Sequence, residues 1–582
     1  MTNHYTISKL HSILSRLNSS ELVTGLGLSI VIGVISGLGA VAFRWLINNF
    51  TTLFFDGGSK VLSFMGQYYV ILIPVAGGLL VGPLIYFMAR EAKGHGVPEV
   101  MEAVAMKGGR IRPRVAIIKS LASALCIGSG GSVGREGPIV QIGASAGSAL
   151  GQWLKLTDDN IKTLVACGAA SGISATFNAP IAGVFFAMEI ILGRMVTHRF
   201  AYVVISSVIA DFIAHSFLGN LRAFAVPEFS ITSPWEIGLY AVLGIIAAFG
   251  STFFIKILYW CEDIFEKIKF PEYLKPVLGG LLVGVIGLYS ADLFGVGYGG
   301  IQNALSGQFT LTTLTILFFL KILATSFTIG SGGSGGIFAP SLFLGVMMGT
   351  AFGNLVNSTF PAISSSPAAY GVVAMAAMFA GAARAPFSAI LIIFEMTGAY
   401  SIILPVMTAV VISTILSRQL SKESIYTLKL IRRGVDIGQE EVSDVMKTIQ
   451  VKEAMTSNFP TVSPEMPIKD LMNLFQKTRY HGFPVVDNKE SLFGMVTVTD
   501  IERHLGEEEN GLTVADIATK SPFVAYPDQS LERVLDTVNE EYGRIPVVSK
   551  DNGRNLVGVL QRQDIIKAYR KKLKKMKRNS LS

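Results

Sequence analysis

The sequence predicts an all-α polytopic membrane domain built from two repeats with broken helices, followed by a smaller α/β domain made of two tandem copies. Three observations carry this reading. Half of the 582 residues are hydrophobic and only 15% are charged, against about a quarter charged in an ordinary globular chain. Long apolar runs dominate from roughly Glu21 to Leu420, whereas the stretch after Lys422 reads as a soluble sequence. Each of these two parts also repeats itself internally.

Runs long enough to cross a bilayer lie at 22–49, 68–89, 199–219, 235–259, 275–295 and 402–417. Between them, at 115–152, 161–193, 312–356 and 368–397, glycine, proline and small residues interrupt the apolar sequence. Irregular backbone is tolerated at membrane depth only where protein buries it or where it lines a cavity. In transporters such breaks point to the substrate site.

The first repeat pairs these breaks. GSGGSVGREGP (128–138) and GSGGSGGIFAP (330–340) agree at seven of eleven positions. Downstream, NAPIAGVFFAME (178–189) parallels RAPFSAILIIFE (384–395), with nine residues from Pro180 to Glu189 and nine from Pro386 to Glu395. This ordered set implies two homologous halves, about 21–220 and 235–430, within a membrane domain of 21–430. An inverted pair is the common transporter solution.

After a linker at 431–450 comes the second repeat. RYHGFPVVD (479–487) and GMVTVTDI (494–501) recur as EYGRIPVVS (541–549) and GVLQRQDI (558–565). Each copy reads as a helix, two strands and a helix, over 451–507 and 513–570. A basic tail at 571–582 follows, and RKKLKKMKR (570–578) suits either anionic lipid or simple solvation.

The net charge of +8 does not point to nucleic acid, because of where it lies. Lys107, Arg110, Arg112 and Arg114 share one short loop, and Arg418, Lys422, Lys429, Arg432 and Arg433 follow the last apolar run. Short basic loops mark the cytoplasmic side, so both termini and the C-terminal domain are expected there. Residues 1–20 read as a polar, mildly amphipathic cytoplasmic helix without an apolar core and cleavage site, so the first apolar helix is expected to be its own insertion signal. Cys126, Cys167 and Cys261 have no metal-ligand spacing and read as small core residues. No metal site is expected.

Four motifs, in order along the chain, carry a family resemblance. GHGVPE (94–99), GREGPIVQIG (134–143), GGIFAP (335–340) and SIYTLKL (424–430) resemble motifs of the CLC family of chloride channels and proton-coupled chloride transporters. They resemble, respectively, its first anion-binding loop, its gating-glutamate segment, its second anion-binding loop and its pore-tyrosine segment. The C-terminal repeat resembles a tandem CBS domain over about 451–570. The resemblance implies inverted halves, and a homodimer with a separate pore in each subunit of a multi-pass protein of the cell (inner) membrane. Its expected partners are chloride, protons and the lipid bilayer. It further implies that the backbone amides of Arg135, Glu136, Gly137, Ile337 and Phe338, with the Tyr426 hydroxyl, line the anion path, and that His95 and Gly96 belong to the first loop.

The physical logic stands beside the name. A halide in hydrocarbon must be compensated without being trapped, and helix N-termini offer free amides and a partial positive charge. Glycine lets backbone approach closely, and proline near a helix start removes a donor that would be orphaned anyway. Glu136, an ionisable residue in a membrane break, is costly and therefore read as functional. Its carboxylate is itself an anion, able to occupy the site as a tethered competitor until protonation releases it.

Two departures bear on mechanism. Proton-coupled members of the family carry a second, adjacent glutamate where this chain has Ile190, after Glu189. Isoleucine cannot carry a proton. That points to a passive, voltage- or pH-gated channel as the alternative, but Glu136 and Tyr426 fit an exchanger. The expected function is chloride/proton exchange gated by Glu136 and modulated by the CBS pair. Glu189 could relay protons itself or simply hydrogen-bond neighbouring backbone. His95 stands where chloride-selective members usually have serine. It offers an N–H donor with its own pH dependence, or it caps a helix while turned away from the path.

In the C-terminal domain, Thr497 and Asp500 fit the hydroxyl-and-carboxylate element that holds an adenine nucleotide in CBS pairs. Asp564 keeps the carboxylate in the second copy, where Gln561 replaces the hydroxyl. A ligand-free dimerisation module is the alternative, and Tyr480 and Phe483 suit either base stacking or core. The protein does not read as an enzyme. No histidine begins the His-Glu-x-x-His of a membrane metalloprotease and no Gly-Lys-Ser/Thr marks a phosphate loop. A cation pathway would want acidic residues at breaks that here present glycine and amides.

Overall fold

The structure is a computed structural model that describes residues 21–193, 199–219, 233–435, 446, 448–478, 480–487, 491–504, 512–537, 544–550 and 555–579. The helix expected over 1–20, much of the linker 431–450 and the end of the basic tail lie outside the described residues. The chain divides into two compact units, Met1–Val435 and Asp436–Ser582.

The first unit is helical. Its first half runs α1 (Glu21–Thr51), α2 (Tyr69–Met88), α3 (Val97–Met106), α4 (Arg114–Gly128), α5 (Glu136–Trp153), α6 (Asp158–Phe177), α7 (Pro180–Phe186) and α8 (Phe200–Leu218). The second runs α9 (Glu236–Lys267), α10 (Lys275–Gly287), α11 (Tyr298–Leu305), α12 (Leu311–Gly330), α13 (Phe338–Thr359), α14 (Pro367–Ala383), α15 (Pro386–Thr397) and α16 (Ile403–Leu420), and α17 (Thr427–Arg432) follows. Prolines at the start of α3, α7, α10, α14 and α15 sit in the first turn, where a missing N–H costs nothing.

Seven of the described helical segments are long and apolar enough to cross a membrane. They differ from the sequence expectation in two places. The run at 275–295 is not one spanning helix: α10 stops at Gly287, and Ser290 then caps a separate 3-10 turn at Ala291–Leu293 by accepting the Asp292 amide. Conversely, 312–356 holds two full-length helices, α12 and α13, with the glycine break confined between them. Apolar composition shows where lipid-compatible sequence lies; glycine and side-chain caps decide where it stops being helix.

The halves are related by a two-fold that the backbone displays directly. Gly134 and Gly336, equivalent positions in the two breaks, exchange N–H···O bonds of 2.7 and 2.6 Å in an antiparallel bridge. Antiparallel pairing of equivalent residues is what a two-fold axis produces, the relationship expected of an inverted repeat. Helix packing repeats the pattern. A Cβ at Gly78 would strike the carbonyl of Pro276, and one at Gly280 would strike that of Pro74, so α2 and α10 approach backbone to backbone through reciprocal glycines. The left-handed residues that end α6 and α14, Asn178 (φ 56°) and Arg384 (φ 59°), are also equivalent. Asparagine tolerates that conformation. Arg384 is held in it by guanidinium bonds to the carbonyls of Ser421 and Lys422.

The second unit contains two antiparallel hairpins, β1 (Gly482–Val486) with β2 (Leu492–Thr497) and β3 (Arg544–Val548) with β4 (Leu556–Gln561). Each copy lends its lead-in segment to the other. Ile449 and Val451 pack into the core of the second copy, whereas Val514, Ile517 and Ala518 pack into the core of the first. Backbone bridges Thr456–Val559 and Met495–Thr519 fix the exchange. Neither copy closes its core alone, which is why they occur as a pair.

Candidate anion pathway

Four helix starts converge in the first unit: α5, α13, α3 and α11. The break before α5 and the break before α13 are joined by the Gly134–Gly336 bridge. The loop before α3 joins them through a Gly94–Ser334 bridge, with Gly94 N–H donating to the Gly333 carbonyl at 3.0 Å and Gly335 N–H to the Gly94 carbonyl at 3.2 Å. Glycine is required at these contacts. Gly96 has φ +88°, and a Cβ at Gly137 would collide with the His95 carbonyl. The sequence-selected residues His95, Gly96, Glu136 and Gly137 are thus brought to one place, with Ile337 and Phe338 across the bridge.

The first-turn amides of Arg135, Glu136, Gly137, Ile337 and Phe338 make no backbone bond outside their helices among the described residues, and helix geometry gives them no acceptor inside. Those of Arg135, Gly137, Ile337 and Phe338 have no backbone acceptor there, while that of Glu136 faces its own carboxylate. The Phe338 side chain takes no part in this. It is 2% exposed and packs between Phe177 and Phe379, with ring centroids 5.0 and 4.4 Å away. The side chain is therefore core, and only the backbone amide of Phe338 is left to meet a ligand.

Glu136 is the first residue of α5 and is 1% exposed. Its Oε1 accepts the Tyr298 hydroxyl at 3.1 Å. Oε2 looks onto its own amide and that of Ala339 without a hydrogen bond of standard geometry. A Cβ at Gly134 would collide with Oε2, so that glycine makes room for the carboxylate. Arg135 does not pair with Glu136. Its guanidinium reaches the Thr176 carbonyl at 3.4 Å and lies over the Tyr298 ring, 5.2 Å from the centroid. A polar cavity of about 180 Å³ abuts this group, with walls that include Arg44, Arg135, Asp211, His215 and Tyr298.

On the other side of the α3 loop, the His95 ring is 2% exposed and neither nitrogen has a hydrogen-bond partner among the described residues. It meets Tyr259 edge-on at 6.4 Å. The Tyr259 hydroxyl in turn donates to the Ile425 carbonyl at 2.5 Å, and Ile425 N–H donates to Ala382 at 2.9 Å, fixing the chain just before Tyr426. Tyr426 is 2% exposed. An unsatisfied buried polar group costs about 1–3 kcal/mol, and the His95 nitrogens and Glu136 Oε2 are such groups beside these helix starts.

Glu189 is positioned by a π-helical turn (Ala187–Ile191) that ends α7. Both of its oxygens cap α15. Oε2 accepts the Ser388 amide at 2.8 Å and the Ser388 hydroxyl at 2.7 Å, and Oε1 accepts Phe387 N–H at 3.3 Å. Ile190 is 6% exposed.

Sequence reasoning missed Tyr298 and two lysines. Lys119 and Lys321 are both fully buried. Lys119 Nζ donates to the carbonyls of Ala92 (3.0 Å) and Gly94 (2.8 Å), and Lys321 Nζ to those of Leu293 and Gly295 (3.2 Å each). Each stands nine residues before the glycine that opens its break, Gly128 or Gly330. Aligning the repeat helix by helix would have found them, and would have placed GVGYGG (295–300) opposite GHGVPE.

The nucleotide candidates lie in the second unit. Asp500 Oδ2 accepts the Thr497 amide and hydroxyl at 2.8 and 2.7 Å, and Asp564 accepts the Thr456 hydroxyl at 3.2 Å. Tyr480 and Phe459 are covered by the Arg544 guanidinium, 4.6 and 5.1 Å from their centroids.

Comparison with known proteins gives the family of the chain. The family model described as "Voltage gated chloride channel" matches residues 77–418, and the CBS domain model matches 451–507 and 514–571. The chain is 34% identical over 370 residues to the "Putative chloride channel protein ClcB-like" of Ralstonia nicotianae, covering 63% of this chain and 86% of that one. It is 30% identical over 403 residues to the "Voltage-gated ClC-type chloride channel ClcB" of Escherichia coli, covering 68% and 96%. Among solved structures, a slow cyanobacterial Cl-/H+ antiporter superposes with a TM-score of 0.65 at 28% identity, covering 72% of this chain and 99% of that one. A eukaryotic CLC transporter shares the fold, with a TM-score of 0.62 at 22% identity over 93% and 98%.

Proposed function

The chain belongs to the voltage gated chloride channel family, with a C-terminal CBS pair, and from that premise we propose that it exchanges chloride for protons, with Glu136 as the movable gate. The observation that carries the reading is the seat of Glu136. A buried carboxylate lies against the amide ends of two helices, α5 and α13, held by one hydroxyl and by no ion pair. A chloride ion needs the same amides. While ionised, Glu136 fills the outer part of the path; once protonated, it loses its attraction to the helix ends and yields to the anion. Each swing therefore links one proton to the passage of chloride.

The remaining pathway residues have roles consistent with this. His95, Gly96 and the Tyr426 hydroxyl form the central seat, and the amides of Arg135, Gly137, Ile337 and Phe338 line its approaches. His95 supplies an imidazole donor where a smaller hydroxyl would otherwise serve. We assign Glu189 to helix capping rather than to proton relay, because both of its oxygens are engaged. Protons then reach Glu136 from the inner side along water.

That last point supports a second reading, a passive chloride channel, since Ile190 is buried and apolar. The two are separated by chloride flux from liposomes with external pH recorded. Under an imposed chloride gradient, protons moved uphill mean exchange, and no coupled movement means a channel. We further propose that the protein is a homodimer of the inner membrane with its CBS pair and termini cytoplasmic. In this reading the pair modulates transport, taking an adenine nucleotide through Thr497, Asp500 and Asp564.

A further inference from the structure

The two buried lysines are placed by the same two-fold as the helix starts they serve. Lys119 ties down the loop that enters α3, where Gly94 and Gly96 have φ of +78° and +88°. Lys321 ties down the loop that enters α11, where Gly295 and Gly297 have φ of +55° and +81°. Both ammonium groups are enclosed, bond only carbonyls, and have no carboxylate within ion-pair distance among the described residues. Lys321 lies in the middle of a spanning helix, Leu311–Gly330, where an ionisable group is functional by default. Its ammonium also faces the Phe343 ring at 4.9 Å, a contact that favours the cation.

The α11 loop delivers Tyr298, the residue that grips Glu136. Lys321 therefore sits behind the outer end of the pathway, as Lys119 sits behind His95. The acids whose field Lys321 feels are Asp292 and Glu136. The groups facing Glu136 are Arg135 on its own loop, Tyr298 of α11, Lys321 of α12 and Tyr426 ahead of α17, with Arg44 of α1 and Asp211 and His215 of α8 around the adjoining cavity.

We infer that Lys321 is a positioning residue of the outer seat: it fixes the loop that presents Tyr298 to Glu136 and supplies the buried positive charge that draws an anion, chloride or the Glu136 carboxylate, to this end of the path. The inference rests on the transport reading above. Lys321 and Lys119 thus act as paired field sources, one for each end, while the amides supply the local contacts. A lysine bound only to carbonyls suits this task, because no carboxylate lies within ion-pair distance of its ammonium among the described residues.

The test is chloride efflux from liposomes holding the full-length protein, measured against external pH from about 4 to 9. Wild-type flux falls as pH rises and Glu136 reoccupies its seat. Lys321→Met removes the charge at similar volume and is expected to move the midpoint upward by about one pH unit, because an ionised Glu136 loses a favourable partner. Lys321→Arg is expected to leave it near the wild-type value. Asp292→Asn keeps Lys321 and removes an acid that offsets it, so its midpoint should move downward. Should Lys321→Met not be recovered as folded protein, Lys321→Gln is measured in its place and the same upward shift is expected. Midpoints that stay at the wild-type value in these variants overturn the role of Lys321 while leaving transport standing. Wild-type protein that moves no chloride at any pH sinks the transport reading itself.

Discussion

Glu189 and Glu395 cap each other's helices. Glu189 receives the first amides of α15, the helix that carries Glu395, and Glu395 receives the amides of Ile181 (3.0 Å) and Ala182 (2.7 Å) at the start of α7, which leads to Glu189. Two helices that begin with proline in an apolar setting each expose a full turn of orphan donors. The two-fold lets each supply the other's missing anion. A glutamate nine residues after each proline is thereby explained without any transport role.

This arrangement sets the first expected outcome. Glu189→Ala and Glu395→Ala should each cost about 1–2 kcal/mol, the value of a charged N-terminal cap, seen as lower thermal unfolding temperatures in detergent. Proton-to-chloride stoichiometry should be the same as in the wild type. A Glu189 variant that stays as stable but loses proton movement would show that the cap is incidental.

Tyr298→Phe removes the hydroxyl that holds Glu136 Oε1. A hydrogen bond to a charged group contributes roughly 1.5–3 kcal/mol, so the gate should leave its seat about 10-fold or more as often. Chloride efflux at pH 8, where the carboxylate is ionised, should rise accordingly. Unchanged efflux would mean that the bond does not hold the gate.

His95→Ala deletes a buried ring whose nitrogens have no protein partner among the described residues. If the ring serves the anion, chloride binding measured by calorimetry should weaken about 5- to 10-fold, the equivalent of one hydrogen bond, while unfolding temperature changes little. Unaltered affinity would place the ring outside the path.

In the second unit, Arg544→Ala uncovers Tyr480 and Phe459 and breaks the 2.6 Å bond from Arg544 to the Gly482 carbonyl, which ties the second copy to the first. Loss of two cation–π contacts and that bond should lower the unit's stability by about 1–3 kcal/mol, read as earlier loss of its unfolding transition. The unit should also weaken in acid. Hydrogen bonds from the Thr513 amide and hydroxyl hold Asp516 below the usual carboxylate range, and Lys550 does the same for Asp528. Stability from such groups is present above the unfolded value of about 3.9 and is lost as pH falls through the folded one. Asp516→Asn should flatten that acid limb.

Much of the architecture is legible in the sequence because symmetry writes it twice. Matched breaks and Ala-Pro helices are enough to reveal two halves, and glycine with proline marks where helices begin. What escapes is whatever the repeat encodes with single residues. Lys119 and Lys321 look like ordinary charges until their helices are aligned, and Tyr298 follows a glycine run with no proline to announce a helix. Capping is also invisible, since Glu189 meets its partners almost two hundred positions away. Helix ends at Gly287 and Ser290 depend on local caps that apolar composition does not register.

The central claim is that a mobile carboxylate at Glu136 and a chloride ion contend for the same helix ends. It is tested most directly by reconstituting wild-type and Glu136→Gln protein in liposomes under an outward chloride gradient and recording chloride and protons together. The wild type should drive protons uphill as chloride leaves, and the variant should move chloride with no proton movement. Proton movement that survives in Glu136→Gln, or wild-type protein that moves no chloride, would contradict it.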